Sequence, residues 1–322
     1  MKRLSRIGAS ILAFLALTVG LAQTNLSIAT GGTGGVYYPL GGGLAEIINA
    51  NLEGYRATAE VTGASKENVA LVLNGDADLA FALADTVYQA YSGTGDFEGQ
   101  PLPSLRALTS VYPNALQIVA LANSGITSLQ DLRGKRVSVG APGSGTEITA
   151  RAVLEAFGIT YDDIDEQRLN FNETADALRD GTIDAGIWSV GPPTSSILDL
   201  ATSRDIVLIP ISDDEMETAL GVDPAYARYT LPAGTYPGQD EPVQTISTPN
   251  VIIVNESMDE ELAYQLTKLM YDYVDDLIAV HPAARDITVE FAMDSTPIPL
   301  HPGALRYFEE IGAEIPDRLR GQ

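Results

Sequence analysis

A glycine-rich stretch near the start of the chain, Thr-Gly-Gly-Thr-Gly-Gly at residues 30–35, constrains the fold more than any other feature. It follows an apolar run at Leu26 and Ile28 that predicts a buried strand, and it precedes a helical pattern beginning near Tyr37. A strand, a glycine loop and a helix in this order bring unpaired backbone N–H groups and the positive end of the helix to one place. Because glycine allows close approach of the main chain, the loop is a candidate anion site. The alternative is a tight turn without a ligand.

A second loop of the same kind, Gly-Ala-Pro-Gly-Ser-Gly-Thr-Glu, lies at residues 140–147 directly after a strand predicted at residues 136–139. Ser144 and Glu147 have the spacing of a capping box, so Ser144 is predicted to begin a helix that ends near Gly158. Each half of the chain also carries a later helix that ends before a Gly-x-x-Asp turn into a strand. The repeated plan predicts an α/β protein of two lobes with a ligand cleft between them.

The two lobes are predicted to be discontinuous in sequence. Residues 23–112 and 255–322 form the first α/β lobe in this interpretation, and residues 113–254 form the second. The chain would then cross between the lobes near Tyr112 and near Val254, and rotation about these crossings would close the cleft.

The first 22 residues have the pattern of an export signal. Lys2, Arg3 and Arg6 form a positive segment, residues 11–21 are mostly apolar, and small residues follow at the predicted cleavage site. We therefore expect a periplasmic or extracytoplasmic protein that is soluble after signal-peptide cleavage. An uncleaved membrane anchor is the alternative.

Charge and composition exclude several classes of partner. The formal net charge of −24 repels nucleic acid and anionic lipid surfaces, so neither is an expected partner. A small anion is still compatible with this charge, because exposed charges are screened beyond about 10 Å at 0.1 M salt. The chain has no cysteine, which excludes disulfides and cysteine-linked lipid anchors.

Neither glycine loop fits a nucleotide-binding motif. The dinucleotide fingerprint requires glycine where Tyr37 stands, and the phosphate-binding loop of nucleotide triphosphatases requires lysine where Thr146 stands. The only two histidines, His281 and His301, each precede proline, and no pair of carboxylates stands out as an acid/base couple. These features predict binding without catalysis, with no cofactor and no metal.

Three segments resemble the TAXI solute receptors, the extracytoplasmic subunits of one class of TRAP transporters. They are residues 30–41 (TGGTGGVYYPLG), residues 131–140 (DLRGKRVSVG) together with residues 143–147, and residues 178–184. The likeness extends over essentially the whole chain after the signal. It implies a periplasmic-binding-protein type II fold that closes on a small carboxylate and delivers it to a membrane permease driven by an ion gradient.

The known solutes of that family imply glutamate or glutamine, or a 2-oxo-dicarboxylate, as the ligand. In receptors of the other TRAP class a single arginine grips the carboxylate, but neither glycine loop here contains arginine or lysine. We therefore expect backbone amides and hydroxyls to hold the carboxylate, and a nearby basic side chain is left open. Resemblance and loop position together imply the ligand-binding residues Gly34, Gly35, Tyr37, Tyr38, Ala64, Asp85, Ser144, Gly145, Thr146, Trp188 and Pro192.

Several of these residues have a structural alternative. Ser144 would then be only a helix cap, Trp188 only a core residue, and Asp85 only a turn residue. If Asp85 lines the cleft, it suits an α-ammonium group and favours an amino acid over an oxo acid. At the level of the whole protein, the alternatives are a receptor that feeds a sensor kinase or chemoreceptor, and an enzyme on the same fold.

Overall fold

The computed structural model describes residues 23–321, and the predicted signal peptide at residues 1–22 lies outside them. The strands in this range are β1 (Thr24–Ala29), β2 (Tyr55–Glu60), β3 (Leu79–Leu83), β4 (Leu105–Leu121), β5 (Arg136–Ser138), β6 (Asp165–Gln167), β7 (Ala185–Val190), β8 (Ile206–Ile209), β9 (Ala227–Leu231) and β10 (Val243–Asn255). The helices are α1 (Tyr37–Asn51), α2 (Ser65–Asn74), α3 (Ala84–Ser92), α4 (Gly145–Ala156), α5 (Phe171–Asp180), α6 (Ser195–Ser203), α7 (Asp213–Leu220), α8 (Glu260–Asp272), α9 (Val274–Val280), α10 (Val289–Ser295) and α11 (Pro302–Glu310). None of them has the length and apolar composition needed to cross a membrane.

All of these strands belong to one sheet with the order β2-β1-β3-β10-β4-β7-β5-β6, while β8 pairs with β4 and β9 pairs with β10. At one end, β1 is parallel to both β2 and β3. At the other end, β5 is parallel to both β6 and β7. The two long strands between these groups, β4 and β10, are antiparallel to each other and to their outer neighbours. Each parallel group with its helices forms one lobe, and we call the one containing β1–β3 the first lobe.

The two long strands run from one lobe into the other. Residues 250–254 of β10 pair with β3 of the first lobe, and residues 115–120 of β4 pair with β7 of the second. Where the lobes meet, Pro113 lies opposite Pro249 and the register of the ladder shifts directly afterwards. Because proline has no N–H, neither residue can donate a hydrogen bond to the ladder. The ladder therefore lacks two backbone donors at the crossing.

The sequence pattern revealed only part of each long strand. The apolar runs predict strands at residues 116–122 and 251–254, whereas β4 begins at Leu105 and β10 begins at Val243. The missing parts are rich in Ser, Thr, Asn and Pro, which interrupt the apolar pattern. They are nevertheless mostly buried in the structure. The lobe boundaries at residues 112 and 254 remain predictions.

Two helix starts show how the loops are arranged. Ser144 is the N-cap of α4 as predicted, and its Oγ accepts a hydrogen bond from the Glu147 N–H at 3.1 Å. Ser65 has a side chain typical of an N-cap and is expected to cap α2, but Ala64 occupies the N-cap position. The Ser65 hydroxyl instead accepts a hydrogen bond from the Leu83 N–H at 3.1 Å, which ties the start of α2 to the end of β3.

Asn250, fully buried on β10, joins several polar groups at the crossing. It accepts a hydrogen bond from the Tyr37 hydroxyl at 2.5 Å and donates to the Tyr112 carbonyl at 2.8 Å and to Asn114 Oδ1 at 2.7 Å. We predict that Asn250→Leu lowers the free energy of unfolding by about 3 kcal/mol, since it leaves buried polar groups without partners. Urea denaturation checks this, with Asn123→Leu on an exposed turn as the control. Equal stability of the two variants would contradict the role of Asn250 in satisfying buried polar groups at the crossing.

Candidate functional site

A cavity of about 70 Å³ lies between the lobes, where the two predicted glycine loops face each other. The first loop contributes Gly31, Gly32 and Gly35 to its wall, and the second contributes Ser144 and Gly145. Tyr112 and Asn114 of β4 lie at its base, and Leu83 and Val190 add apolar surface. The two cradles predicted from the sequence therefore share one cleft.

Four helices begin at this cavity, and both the N-cap and the first residue of each line it. These pairs are Val36 and Tyr37 of α1, Ala64 and Ser65 of α2, Ser144 and Gly145 of α4, and Asn170 and Phe171 of α5. The first N–H groups of a helix have no partner within it, and the helix dipole places partial positive charge there. No residue of the cavity wall carries a charged side chain. The helix starts thus bring partial positive charge to the cavity without a charged side chain in its wall, which suits an anion.

Ala64 has a backbone conformation that non-glycine residues rarely adopt. Its φ of 73° and ψ of −147° make it the one positive-φ residue other than glycine in residues 23–321. The Thr62 hydroxyl accepts a hydrogen bond from the Ala64 N–H at 3.0 Å, and the Ala64 carbonyl accepts one from the Asn68 N–H at 2.9 Å. Such strain costs about 1–3 kcal/mol and concentrates at ligand sites.

A chain of hydrogen bonds connects the cavity walls of the two lobes through the crossing strands. The Tyr37 hydroxyl donates to Asn250, whose amide donates to Asn114 Oδ1. The Asn114 amide then donates to the Ser189 carbonyl of β7 at 2.8 Å. Burial raises the pKa of the Tyr37 phenol, so this hydroxyl stays protonated and remains a donor.

Two hydroxyl groups at the cavity have no hydrogen-bond partner among the described residues. They belong to Tyr112 and Ser189, whose side chains are almost completely buried and which both line the cavity. A buried hydroxyl without a partner costs free energy, and such groups in folded proteins usually have an external partner. The variants described below test whether a ligand supplies that partner.

Six of the residues expected at the ligand lie in the cavity wall: Gly35, Tyr37, Ala64, Ser144, Gly145 and Thr146. Ser144 lines the cavity and is also the helix cap that was its structural alternative. The Thr146 hydroxyl also accepts a hydrogen bond from the Ser189 N–H at 3.4 Å, so it supports β7 from within the second lobe.

The structure does not place Asp85 in the cavity wall. Asp85 belongs to the first turn of α3 and is fully buried behind Leu83. Its carboxylate accepts hydrogen bonds from Thr86, from the Thr149 hydroxyl at 2.8 Å and from the Tyr226 hydroxyl at 2.9 Å. Because Thr149 and Tyr226 belong to the second lobe, Asp85 connects the lobes and faces no ligand ammonium group.

Four other expected residues also lie outside the wall. Trp188 is a core residue that donates from Nε1 to the Ser196 hydroxyl at 3.2 Å and stacks behind Phe171. Tyr38 is 37% exposed on the outer side of α1, because the residue after Tyr37 turns away from the cleft. Gly34 contacts the second lobe beside the cavity, and Pro192 is half-buried and absent from the wall.

Sequence reasoning missed several wall residues. Asn170 and Phe171 bring the N-terminus of α5 to the cavity, and Asn170 with Glu173 forms a complete capping box that the sequence already displays. A search for Asn-x-x-Glu would have found it. Tyr112 and Ser189 carry no local signal, because strand pairing across the crossing brings them to the site.

The two histidines have structural contacts. Nδ1 of His281 accepts a hydrogen bond from the Ala283 N–H, and Nδ1 of His301 accepts one from the Gly303 N–H, both at 3.2 Å. Burial lowers the pKa of both imidazoles, which keeps them neutral at pH 7. Within residues 23–321, no group of three or more histidine, aspartate or glutamate side chains is arranged to hold a metal ion.

Comparison with known proteins identifies the family of this chain. Residues 28–312 match the family described as NMT1-like. The chain belongs to the NMT1-like family. The match includes both glycine loops, both crossing strands and all four helices that begin at the cavity.

The solved structures that resemble this NMT1-like protein share its fold at low identity. A protein from Bordetella bronchiseptica RB50 has a TM-score of 0.54 at 18% identity, with 92% of this chain and 91% of that chain covered. A Listeria monocytogenes protein assigned as an L-cystine ABC transporter has a TM-score of 0.52 at 13% identity, with 84% and 99% covered. The periplasmic aliphatic sulphonate binding protein SsuA from Escherichia coli has a TM-score of 0.48 at 14% identity, with 89% and 83% covered. The predicted two-lobed α/β fold is confirmed.

If the two hydroxyls without partners are ligand groups, their removal should affect stability and ligand binding in opposite directions. The double variant Tyr112→Phe, Ser189→Ala should unfold at the same or higher urea concentration, because it removes buried groups without partners. It should also bind the ligand that co-purifies with the wild type about tenfold less tightly or worse, as measured by calorimetry.

Tyr236→Phe is the matched control for this pair. The Tyr236 hydroxyl is equally buried, but it donates to Gln117 Oε1 at 2.6 Å and accepts from the Thr194 N–H at 3.1 Å. The control should therefore lose stability. If the double variant loses as much stability as Tyr236→Phe and binds normally, the two hydroxyls are not ligand groups.

Asp85 gives the NMT1-like protein a pH-dependent stability. Burial raises the pKa of its carboxyl above that of the unfolded chain, about 3.9, so the folded state binds this proton more tightly. Its contribution to stability is therefore largest below pH 4 and is lost as pH rises through the folded-state pKa. Asp223 lies nearby, and burial raises its pKa to about 6, so it acts in the same direction.

We predict that Asp85→Asn gains stability relative to the wild type as pH rises from 4 to 7, because the variant cannot acquire the buried charge. Urea unfolding curves across this range measure the difference, and Asp223 titrates in both proteins. If the difference in the free energy of unfolding between the two proteins is the same at every pH, the pKa of Asp85 does not differ between the folded and unfolded states.

Proposed function

We propose that this protein is the solute-binding receptor of a membrane transport system and that it closes over a small carboxylate between its lobes. The convergence of four helix N-termini on one uncharged cavity carries this proposal. A carboxylate is a small anion that accepts several N–H hydrogen bonds at once, so this arrangement compensates its charge. The absence of a nucleotide motif and of a catalytic constellation in the described cavity wall is consistent with binding alone.

Direct contacts between the lobes close the cleft around this cavity. On one side, the Asn172 amide contacts the Thr33 hydroxyl at 3.1 Å, and the Ser195 hydroxyl donates to the Gly34 carbonyl at 3.2 Å. On the other side, Arg151 pairs with Asp96. There the Lys66 N–H also donates to the Gly143 carbonyl at 3.2 Å. The chain thus has a closed arrangement held by its own residues, as a receptor that encloses its solute requires.

The crossing of β4 and β10 is the hinge in this proposal. Rotation there changes few hydrogen bonds, since Pro113 and Pro249 face each other without donors. The buried chain of hydrogen bonds through Asn250 and Asn114 runs beside it and connects ligand-facing residues of both lobes. Closure and ligand contact are therefore mechanically linked.

The resemblance to TAXI receptors supports delivery to a TRAP-type permease, and the signal-like segment supports an extracytoplasmic location. The similar Listeria protein is assigned to ABC transport, so the fold serves more than one kind of transporter. Glutamate or glutamine remains the ligand that the resemblance implies. Native mass spectrometry of protein purified from the periplasm tests the proposal, and recovery of a small organic acid in the cleft is the expected result.

A substitution at Gly145 tests closure of the lobes most directly. A Cβ at this second-lobe position would lie 2.5 Å from the Ser65 hydroxyl oxygen and 2.6 Å from Leu83 Cδ1, both in the first lobe. The clash arises only when the lobes meet, so Gly145→Ala should fold normally but close incompletely. We predict about tenfold weaker binding of the co-purifying acid and a larger radius of gyration in its presence, because such overpacking costs about 1–3 kcal/mol.

Gly42→Ala is the control, because this glycine also lies in a helix and no atom lies within 4 Å of the Cβ position. Alanine there should keep full binding and closure and raise stability slightly. Gly34→Ala probes the other side of the cleft, where the added Cβ would lie 2.2 Å from Asn172 Oδ1. Scattering and calorimetry that match the wild type for both Gly145→Ala and Gly34→Ala would refute closure at these contacts.

A further inference from the structure

We propose that the Asp85 carboxyl takes up one proton when the lobes close, so that closure over a solute is coupled to protonation at a second site. This inference rests on the proposed function, because it concerns the closure that encloses a solute. Asp85 is fully buried and does not belong to the cavity wall. The proton and the solute therefore occupy separate sites, and movement of the lobes connects them.

The two oxygens of the Asp85 carboxyl have their partners in different lobes. Oδ1 accepts hydrogen bonds from the N–H and the hydroxyl of Thr86, in the same helix α3. Oδ2 accepts from the Thr149 hydroxyl at 2.8 Å and from the Tyr226 hydroxyl at 2.9 Å, and both of these residues belong to the second lobe. Separation of the lobes removes both partners of Oδ2 and opens this oxygen to water. The surroundings of the carboxyl thus differ between the open and closed arrangements.

The face of α4 that covers Asp85 is also the face that closes the cleft. Gly145 and Thr149 are four residues apart in α4 and therefore lie on the same side of the helix. Gly145 approaches Leu83 at the end of β3, and Thr149 contacts Asp85 two residues further along the first lobe. A movement of α4 that opens the cleft at Gly145 therefore also separates Thr149 from Asp85.

Within residues 23–321, Asp85 forms no ion pair with a cation. The strands β3 and β10 beside α3 contain no charged side chain. The basic residues of the neighbouring helices α2 and α4, Lys66 and Arg151, both pair with Asp96. The other charged residues of these two helices are acids, namely Glu67, Glu147 and Glu155. The closed arrangement thus buries this carboxyl without a compensating positive charge.

The titratable groups that face Asp85 supply no positive charge either. Tyr226 of the second lobe and Tyr37 of the first are neutral, because burial raises the pKa of both phenols. Asp223 of the second lobe is another acid, and the charge of Asp85 adds to the effect of burial in raising its pKa. The Thr149 and Tyr226 hydroxyls accept as well as donate hydrogen bonds, so a protonated Asp85 keeps its partners.

The direction of the coupling follows from these surroundings. In the closed arrangement burial raises the pKa of Asp85, whereas in the open arrangement contact with water brings it toward the ordinary value of about 3.9. Between these two pKa values, closure takes up a proton. Solute affinity is therefore highest below the open-state pKa, falls as pH rises, and becomes constant above the closed-state pKa.

Calorimetry with L-glutamate and with 2-oxoglutarate, on the full chain after removal of bound ligand, measures this proton. Titrations in phosphate and in bis-Tris, whose ionisation enthalpies differ, give the number of protons taken up per solute bound. We expect Asp85→Asn to take up as much as one proton fewer than the wild type. Relative to Asp85→Asn, wild-type affinity should fall about tenfold or more between pH 4.5 and pH 7.5, since one pKa unit corresponds to a factor of ten.

The comparison of these two proteins isolates Asp85, because Asp223 and His281 titrate in both. Asp276→Asn, at an exposed position of α9, is the matched control and should keep the proton uptake of the wild type. Equal proton uptake by the wild type and Asp85→Asn, with a constant ratio of their affinities at every pH, would overturn the inference. The proposed receptor function would remain in place.

A disulfide across the cleft tests the same inference without a solute. The chain has no cysteine, and a Cβ at Gly34 would lie 2.8 Å from Asn172 Cγ, so Gly34→Cys with Asn172→Cys can join the lobes. The carboxyl carbon resonance of Asp85, assigned by its loss in Asp85→Asn, reports its pKa.

We expect a higher pKa of Asp85 in the oxidised, closed protein than in the reduced protein. Equal pKa values in the two forms would overturn the inference. A higher pKa in the oxidised form, together with no binding of either acid, would support proton uptake on closure and count against the proposed solute.

Discussion

The site depends on one electrostatic arrangement, the convergence of four helix N-termini on a cavity without a charged side chain in its wall. Each terminus supplies N–H groups that have no partner within their helix. Two of these helices come from each lobe, so neither lobe holds the complete set alone. The full concentration of donors exists only when the lobes meet, so the proposed function links anion binding to closure without requiring an arginine.

The same arrangement explains why small residues occur where they do. Gly145 lies where the second lobe contacts the start of α2 and the end of β3 of the first. Ala64, the N-cap of α2 in the first lobe, has a backbone conformation that non-glycine residues rarely adopt. Close approach of two helix starts leaves no space for larger side chains. In the proposed function, the small residue that permits closure at Gly145 also exposes the main chain to the ligand.

Local signals in the sequence predicted the local parts of the site. The strand–loop–helix pattern located both glycine loops, and capping chemistry located the start of α4 at Ser144. The hinge and the base of the cavity could not be predicted in this way, because the buried polar residues of β4 and β10 interrupt the apolar pattern. The surroundings of Asp85 could not be predicted from the local sequence either. Its position after a strand suggested a ligand contact, but the packing of α3 against the second lobe turns its carboxylate toward Thr149 and Tyr226.

A crystal structure of the protein with its co-purifying acid bound tests the central claim most directly. The account predicts that the ligand carboxylate lies between the lobes, with its oxygens about 2.7–3.2 Å from backbone nitrogens at the helix starts, among them Gly145 and Thr146. It also predicts that no arginine or lysine side chain lies within that distance of the carboxylate. A carboxylate paired with a basic side chain, or a ligand bound outside the shared cleft, would contradict the account.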